Sequence, residues 1–390
     1  MNGQRIQRAW AAVAAATVLN LPLGSIYAFS VFLRPIEAEL GLTRSALSLV
    51  FGLATVAFTL GMLVTPYAYA WTSAAGLIAI CTAAATIGIA LAATAGGLTQ
   101  LLLGYGVLFG LGGGAAYILA QQSVNMLVTT RKGLVNGYIV GLYPAGAMLA
   151  APLFGWANDA FGFRWTLGGL AFVLLLSGLA AMVLLNLSGV ILPRQVAGGA
   201  SRDSRGAIFA RLWTVFFVAA AAGLTVLSQA AGIIAAYGGT TGMALAATTA
   251  IAGGIAVARL SGGWLTDRFP VPYVAAFAQG FALTGAILLT LWPNPWVAAV
   301  ALGMVGMGYG FISGCAAAAI ALYWPPADYG RIASRIYIAW CVAAISLPIL
   351  AGHLFDLTGG YETTMIIAGC GNLVGVIVAL RLPRRAPRIA

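Results

Sequence analysis

Residues 248–265 read TTAIAGGIAVARLSGGWL. The run is apolar throughout rather than alternating, so it reads as a helix of the length that crosses a bilayer, about 20 residues. The one charge in it is Arg259. A charge well inside a span costs roughly 2.5–3.5 kcal/mol on insertion scales, and no other span of this chain carries one so deep. Three things can compensate it: a partner carboxylate, a water-filled cavity or an anionic ligand. The sequence offers no carboxylate within the membrane, which leaves the cavity and the ligand. Two readings without a ligand stay open: snorkelling toward the water, since Asp267 follows eight residues later, and pairing with a backbone carbonyl.

The same pattern recurs along the chain. Hydrophobic residues make up 62% of it and charged residues 7%, which excludes an ordinary soluble domain. Twelve apolar runs are long enough to span, at about 9–33, 45–69, 72–95, 98–127, 134–157, 165–187, 211–236, 241–265, 271–291, 296–322, 332–355 and 362–381. None alternates as a barrel strand does. The expectation is an all-α membrane protein of twelve transmembrane helices, numbered below as spans 1–12.

The net charge of +11 raises nucleic-acid binding as a function, and its distribution answers it. With the N-terminus in the cytoplasm, that side holds Arg5, Arg8, Arg131, Lys132, Arg194, Arg202, Arg205, Arg211, Arg268, Arg331, Arg335, Arg381, Arg384, Arg385 and Arg388. The other side holds Arg34, Arg44 and Arg164, which share their loops with Glu37, Glu39 and Asp159. Positive charge inside is the rule for spanning helices. The basic balance therefore reports topology, with both termini cytoplasmic, the lipid bilayer as partner and no nucleic acid. Cys81, Cys315, Cys341 and Cys370 lie in apolar runs without metal-ligand spacing or a disulfide framework. The apolar run after Arg8 continues to about Leu33, too long for a cleaved signal, and reads as span 1. Arginine outnumbers lysine eighteen to one, which points to a GC-rich bacterial source and a bacterial cytoplasmic membrane.

One stretch, 188–210, is rich in polar and turn-forming residues and splits the spans six and six. It divides the chain into an N-terminal half, 1–187, a cytoplasmic linker, 188–210, and a C-terminal half, 211–390. The halves match at an offset of 196–197 residues: Gly110-Leu-Gly112-Gly-Gly114 with Gly306-Met-Gly308-Tyr-Gly310, and Gly155-Trp-Ala-Asn-Asp159-Ala-Phe-Gly162 with Gly352-His-Leu-Phe-Asp356-Leu-Thr-Gly359. Such duplication implies two pseudo-symmetric six-helix halves, a binding site near the midplane and alternating access. The glycine run 104–114 is not a phosphate loop, for no strand precedes it and no Lys-Ser/Thr follows; close packing of helices explains it.

The motif Gly262-Gly263-Trp264-Leu265-Thr266-Asp267-Arg268 resembles the loop signature of the major facilitator superfamily between spans 8 and 9, and Arg131-Lys132-Gly133-Leu134-Val135-Asn136-Gly137 at the start of span 5 also fits it. Span 1, Gly24-Ser-Ile-Tyr27-Ala-Phe-Ser-Val-Phe32, with Glu37-Ala-Glu39-Leu-Gly-Leu-Thr-Arg44-Ser-Ala-Leu-Ser48 after it, resembles the oxalate/formate antiporter branch and its monocarboxylate-porter relatives. The resemblance implies the major facilitator fold. It implies that Arg259 binds a substrate carboxylate and that Tyr27, Tyr117 and Tyr143 line the cavity; for the tyrosines, aromatic packing is the competing account.

Two departures qualify it. Oxalate carriers of this branch clamp a second carboxylate with a lysine in span 11, where alignment places Trp340. A dianion facing one cation keeps an uncompensated charge, and a missing ion pair at ~4 Å is worth about 4 kcal/mol at an effective dielectric near 20. A monocarboxylate is therefore expected, with Trp340 as an apolar wall that stacks on the substrate or on Arg259. In the second departure, the repeat mates of Asp267 and Arg268 are Ala70 and Trp71, and the loop 66–75 carries no charge. Of the two family latches only the second survives, with Asp267 and Arg268 expected near the start of span 5 and its Arg131 or Lys132.

The leading expectation is a carrier of a small organic monoanion such as formate, lactate or pyruvate, monomeric, without cofactor or metal. Protons are a further candidate partner, although all eight acidic residues fall in loops or at span ends, and His353, the only histidine, lies near an end of span 11. The alternative is an exporter of amphipathic or aromatic molecules; a sensor without turnover is a third reading. An enzyme is not expected: His-Glu-x-x-His, Gly-x-Ser-x-Gly and paired intramembrane aspartates are all missing.

Overall fold

A computed structural model describes residues 2–193 and 205–385. Arg388 and residues 194–204 of the linker 188–210, with Arg194, Arg202 and Asp203, lie outside the described residues. Among the described residues, eleven helices are long and apolar enough to cross a membrane. One of them, Lys132–Ser188, bends at Gly162, whose φ of 82° is open to glycine and costly for other residues. Divided there, it supplies spans 5 and 6, so the described residues hold the twelve spans expected. The others are Gly3–Leu40, Arg44–Ala68, Ala74–Ala93, Leu98–Leu127, Gly206–Ala236, Thr241–Thr266, Val271–Leu291, Pro295–Tyr323, Pro326–Thr358 and Glu362–Ala379.

Several starts follow from local chemistry. Thr43, Ser73, Thr240 and Asn294 each accept a backbone N–H of the first turn of spans 2, 3, 8 and 10, a cap worth about 1 kcal/mol. The carbonyls at the far ends of other spans meet cations, as the helix dipole favours. Arg8 donates to Ser188 and Gly189 beyond span 6, Arg205 to Tyr323 at the end of span 10, and Arg211 to Arg381 beyond span 12. These are arginines of the side that the sequence assigns to the cytoplasm. On the opposite side, Arg44 grips Glu37 through two bonds of 2.7 and 2.8 Å, and Arg164 reaches Glu39 at 2.5 Å. Large apolar side chains such as Leu149, Leu179, Val183, Leu245, Val300 and Ile349 are exposed, which suits a surface that faces lipid.

Three spans are not plain α-helices. Span 1 runs as Asn2–Leu23, then a 3-10 stretch Gly24–Phe32, then Leu33–Leu40. Span 4 contains a π-helical stretch, Leu102–Phe109. Span 11 breaks at Ser346, just before Pro348, into Tyr329–Ile345 and Leu347–Thr358. Departures of this kind inside helices recur at functional positions.

The chain forms two compact units. The first holds spans 1–4 and 6, span 5 from Leu142 onward, and Pro325–Arg335 of span 11. The second holds spans 7–10 and 12, Arg131–Gly141 of span 5, and span 11 from Ile336 onward. Each is built around its glycine-rich span. In the first unit a methyl group on Gly110 or Gly114 would overlap the carbonyl of Ala54 or Phe58 in span 2, and one on Gly112 the backbone of Cys81 and Ala85 in span 3. In the second unit Gly306 and Gly310 meet Ile251 and Ile255 of span 8, and Gly308 meets Ala278 and Ala282 of span 9. Every pair of touching partners, Ala54 with Ile251, Phe58 with Ile255, Cys81 with Ala278 and Ala85 with Ala282, is separated by 197 residues. The duplication read from glycines therefore extends to the surfaces they touch.

Gly113 has room for a methyl group, its nearest neighbours being side-chain atoms of Leu23 and Phe58 at 3.6 Å, whereas Gly114 has none. Gly114→Ala is expected to lose about 1–3 kcal/mol through overpacking, and Gly113→Ala to melt close to wild type. Thermal unfolding in detergent compares them, and equal melting of the two variants would contradict this packing.

Candidate functional site

Arg259 lies in span 8, seven residues before Thr266, which is about 10 Å along a helix. Its backbone has no side chains between it and two neighbouring spans. A methyl group on Gly137 of span 5 would lie 2.7 Å from the Arg259 carbonyl oxygen, and one on Gly314 of span 10 would overlap that oxygen. Gly133, Gly137 and Gly141 recur every four residues, which puts one small stripe of span 5 on span 8. Spans 5 and 10 are thereby brought close enough to supply partners for the guanidinium. Arg259 Nη1 donates to the carbonyl of Val140 and Nη2 to the hydroxyl of Tyr309, each at 3.0 Å. The guanidinium carbon also sits 5.2 Å from the centre of the Tyr309 ring, within cation–π range. Tyr309 rests on Gly223 of span 7, where a methyl group would collide with its Cβ and ring. All these residues belong to the second unit.

Arg259 is 5% exposed, so its side chain lies among the helices rather than reaching toward headgroups. Of the pairings open to it, the structure contains the backbone carbonyl. Both of these acceptors are uncharged, and they orient the guanidinium. Tyr309 was not singled out by sequence reasoning. It stands inside the quoted run Gly306–Gly310 where the first half has Gly113, and that break in an otherwise repeated pattern is the signal that marks it.

Tyr27, Tyr117 and Tyr143 come together in the first unit. Tyr143 meets Tyr117 edge to face at 4.8 Å and Tyr27 at 6.3 Å. Phe58 of span 2, which the sequence did not single out, completes the group at 5.7 Å from Tyr143 and 5.8 Å from Tyr117. Gly24 allows span 1 to touch the backbone of Tyr143, and the 3-10 stretch that starts there carries Tyr27. Tyr143 and Tyr117 are buried, and Tyr27 is half-buried. The Tyr143 hydroxyl has no hydrogen-bond partner among the described residues.

Trp340 is buried in span 11, one turn after Tyr337, whose ring meets Phe216 of span 7 at 5.7 Å. Asp267 reaches the start of span 5, where its carboxylate accepts the backbone N–H of Gly133 at 2.7 Å and of Leu134 at 2.8 Å. Arg268 lies over the Trp264 ring at 3.7 Å, Lys132 donates to the carbonyl of Ala321 at 3.5 Å, and Arg131 is exposed with φ of 50°. His353 is exposed. Among the described residues, no three His, Cys, Asp or Glu side chains gather in a way that would hold a metal ion.

Comparison with known proteins agrees with this architecture. The sequence profile of the Major Facilitator Superfamily matches residues 212–390. Human monocarboxylate transporter 11 is 27% identical over 333 residues, covering 78% of this chain and 67% of the relative. Among solved structures, the proton:xylose symporter XylE bound to 6-bromo-6-deoxy-D-glucose superposes with a TM-score of 0.75 at 15% identity, over 96% of both chains. The human organic anion transporter MFSD10 does so with a TM-score of 0.72 at 13% identity, over 96% of this chain and 99% of that one. A profile match over the C-terminal part of the chain, relatives that are transporters and solved structures of one fold make the chain similar to the major facilitator superfamily and indicate a multi-pass membrane transporter rather than an enzyme.

Proposed function

We propose that the protein carries a small organic monoanion, a monocarboxylate such as formate, lactate or pyruvate, with Arg259 taking the carboxylate. The observation that carries this reading is the buried guanidinium of Arg259 held at 3.0 Å by two uncharged acceptors, Val140 and Tyr309. These bonds orient a positively charged fork of the kind that takes a carboxylate. Relatives named monocarboxylate transporters support the same class. Trp340, where oxalate carriers of the resembling branch have a lysine, favours one carboxylate over two. Tyr27, Tyr117 and Tyr143, with Phe58, take the role of contacting the substrate's carbon skeleton.

The halves 1–187 and 211–390, joined by the linker 188–210, give alternating access in this scheme. In this scheme the charge on Arg259 disfavours the switch while the site is empty, and a bound monoanion neutralises it. Exchange of one anion for another follows directly. Proton symport is the second form of the same reading, with the proton travelling on the substrate or on water near Arg259. The arginine distribution supports both termini in the cytoplasm, and the arginine-rich composition a bacterial inner membrane; a monomer suffices for the mechanism. The four-ring cluster favours one alternative, export of amphipathic or aromatic molecules. Saturable uptake of a labelled monocarboxylate into proteoliposomes, abolished in Arg259→Ala, separates the two.

Arg259→Lys is expected to reduce uptake roughly tenfold or more although the charge is kept. A lysine lacks the planar fork that holds two fixed acceptors and a carboxylate together. Near-normal flux in that variant would show that a point charge is enough. Tyr309→Phe keeps the ring and removes one hydrogen bond, so its cost is smaller, about 0.5–1.5 kcal/mol and read as a several-fold rise in the uptake KM. Trp340→Lys is expected to shift competition toward dicarboxylates; an unchanged inhibition panel would sink the alignment of span 11.

A further inference from the structure

The repeat places Gly133, near the start of span 5, in register with Gly330, near the start of span 11, 197 residues apart. Each is the second residue of its helix, Lys132–Ser188 or Tyr329–Ile345, where a backbone N–H has no partner inside the helix. In the second unit Asp267 supplies the acceptor for Gly133. The mate of Asp267 in the first half is Ala70, which has nothing to offer.

The N–H of Gly330 is nevertheless capped. Gln122 Oε1, from span 4, accepts it at 2.6 Å, and Gln122 Nε2 donates to the carbonyl of Pro326 at 2.8 Å. One residue earlier, Gln121 Oε1 accepts from the Tyr329 hydroxyl at 2.9 Å. Gln121 and Gln122 are fully buried, and so is Tyr329. All of these groups lie in the first unit. A methyl group on Gly330 would come within 2.5 Å of the Tyr69 hydroxyl and 3.0 Å of Gln122 Oε1, just as one on Gly133 would meet the Thr266 hydroxyl at 2.6 Å and Asp267 at 2.8 Å. Tyr69 and Thr266 are themselves repeat mates, 197 residues apart. The two sites thus correspond except in the capping group, which has moved from the loop to span 4 and changed from a carboxylate to an amide. Counted at either offset, the mates of Gln121 and Gln122 in span 10 fall on alanines between Ala317 and Ala319. Each half has one kind of cap and lacks the other.

We infer that Gln121 and Gln122 are positioning residues for the transport cycle: an amide clasp on the start of span 11 that replaces the charged latch missing from the loop 66–75. An amide can cap and anchor at once, because it accepts from Gly330 and donates to Pro326, whereas a carboxylate only accepts. The first turn of span 11 is therefore held from both sides of its entry turn by a group that carries no charge. The first turn of span 5 is held by Asp267, an anion at a helix N-terminus. Opening on the arginine-rich side requires release of both, and the two respond to different substitutions.

Hydrogen–deuterium exchange of the full chain in lipid nanodiscs tests this. Gln122→Met, close in volume and without the amide, is expected to speed exchange of the amides at 329–335 roughly tenfold, the factor that loss of one cap implies. Exchange at 132–138, under Asp267, stays as in wild type. Asp267→Ala, which removes the acceptor, reverses the pattern. Adding Ala70→Asp to Gln122→Met places a carboxylate at the mate of Asp267 and is expected to restore slow exchange at 329–335, a rescue that a purely packing role for Gln122 does not provide. Tyr329→Phe, which removes a single hydroxyl, is expected to give a smaller increase in the same segment and serves if Gln122→Met does not fold. Unchanged exchange at 329–335 in Gln122→Met or, failing that variant, in Tyr329→Phe overturns the proposal. So does an increase spread equally over 132–138.

Discussion

The contact on which the second unit depends is backbone against backbone. Span 8 lies on the stripe Gly133, Gly137 and Gly141 of span 5 on one side and on Gly314 of span 10 on the other, with the Arg259 carbonyl between Gly137 and Gly314. Small residues at a membrane helix interface gain van der Waals contact where no hydrophobic effect is available between helices and lipid. Here the close approach has a second effect. It brings the Val140 carbonyl and the Tyr309 hydroxyl within 3.0 Å of a guanidinium that is otherwise costly in a span. A larger residue at Gly137 or Gly314 would separate these helices, and Arg259 would lose its orientation before it lost any side-chain partner directly.

The same stripe links the arginine to the latch. Gly133 sits at one end of it, under Asp267, and Val140 follows Gly137 by three residues, one helical turn. Both ends therefore report on a single surface between spans 5 and 8. If the start of span 5 moves away from span 8, Asp267 loses the N–H groups of Gly133 and Leu134, and Arg259 loses the Val140 carbonyl in the same motion. On the proposed function, an arginine that changes acceptors when the start of span 5 moves has two arrangements, and the proposed anion biases the choice between them. On the proposed function, latch and ligand need no longer pathway to be coupled, because Asp267 and Arg259 meet one face of span 5.

Much of this was legible in the sequence. The spans follow from hydropathy, and the only large difference is formal: spans 5 and 6 form one helix bent at Gly162. The repeat follows from the glycine triplets, since Gly110–Gly114 and Gly306–Gly310 touch residues that are themselves repeat mates. Arg259 stands out because charge in a span is expensive. What the sequence hid are residues whose chemistry is ordinary until the fold gives them a neighbour. Phe58 is one aromatic residue in an apolar helix, and only the approach of spans 1, 4 and 5 to span 2 places it against Tyr117 and Tyr143. The 3-10 stretch at Gly24–Phe32 and the π stretch at Leu102–Phe109 have no compositional mark, because both trade one backbone hydrogen-bonding pattern for another without changing residue type.

Gln122 was hidden for a different reason. A search for the missing latch looks in the loop where the repeat places it, and Ala70 and Trp71 give nothing. What the helix start of span 11 needs, however, is an acceptor near the Gly330 N–H, not an aspartate in a particular loop. Any buried side chain with an oxygen at that point meets the need, and span 4 passes close enough to provide one. Sequence symmetry between the halves therefore constrains the demand, an uncapped helix start beside a glycine, more tightly than the supply. The glycines Gly133 and Gly330 kept their register while the capping groups diverged, because a close approach tolerates only glycine, whereas a hydrogen bond tolerates any donor or acceptor that reaches.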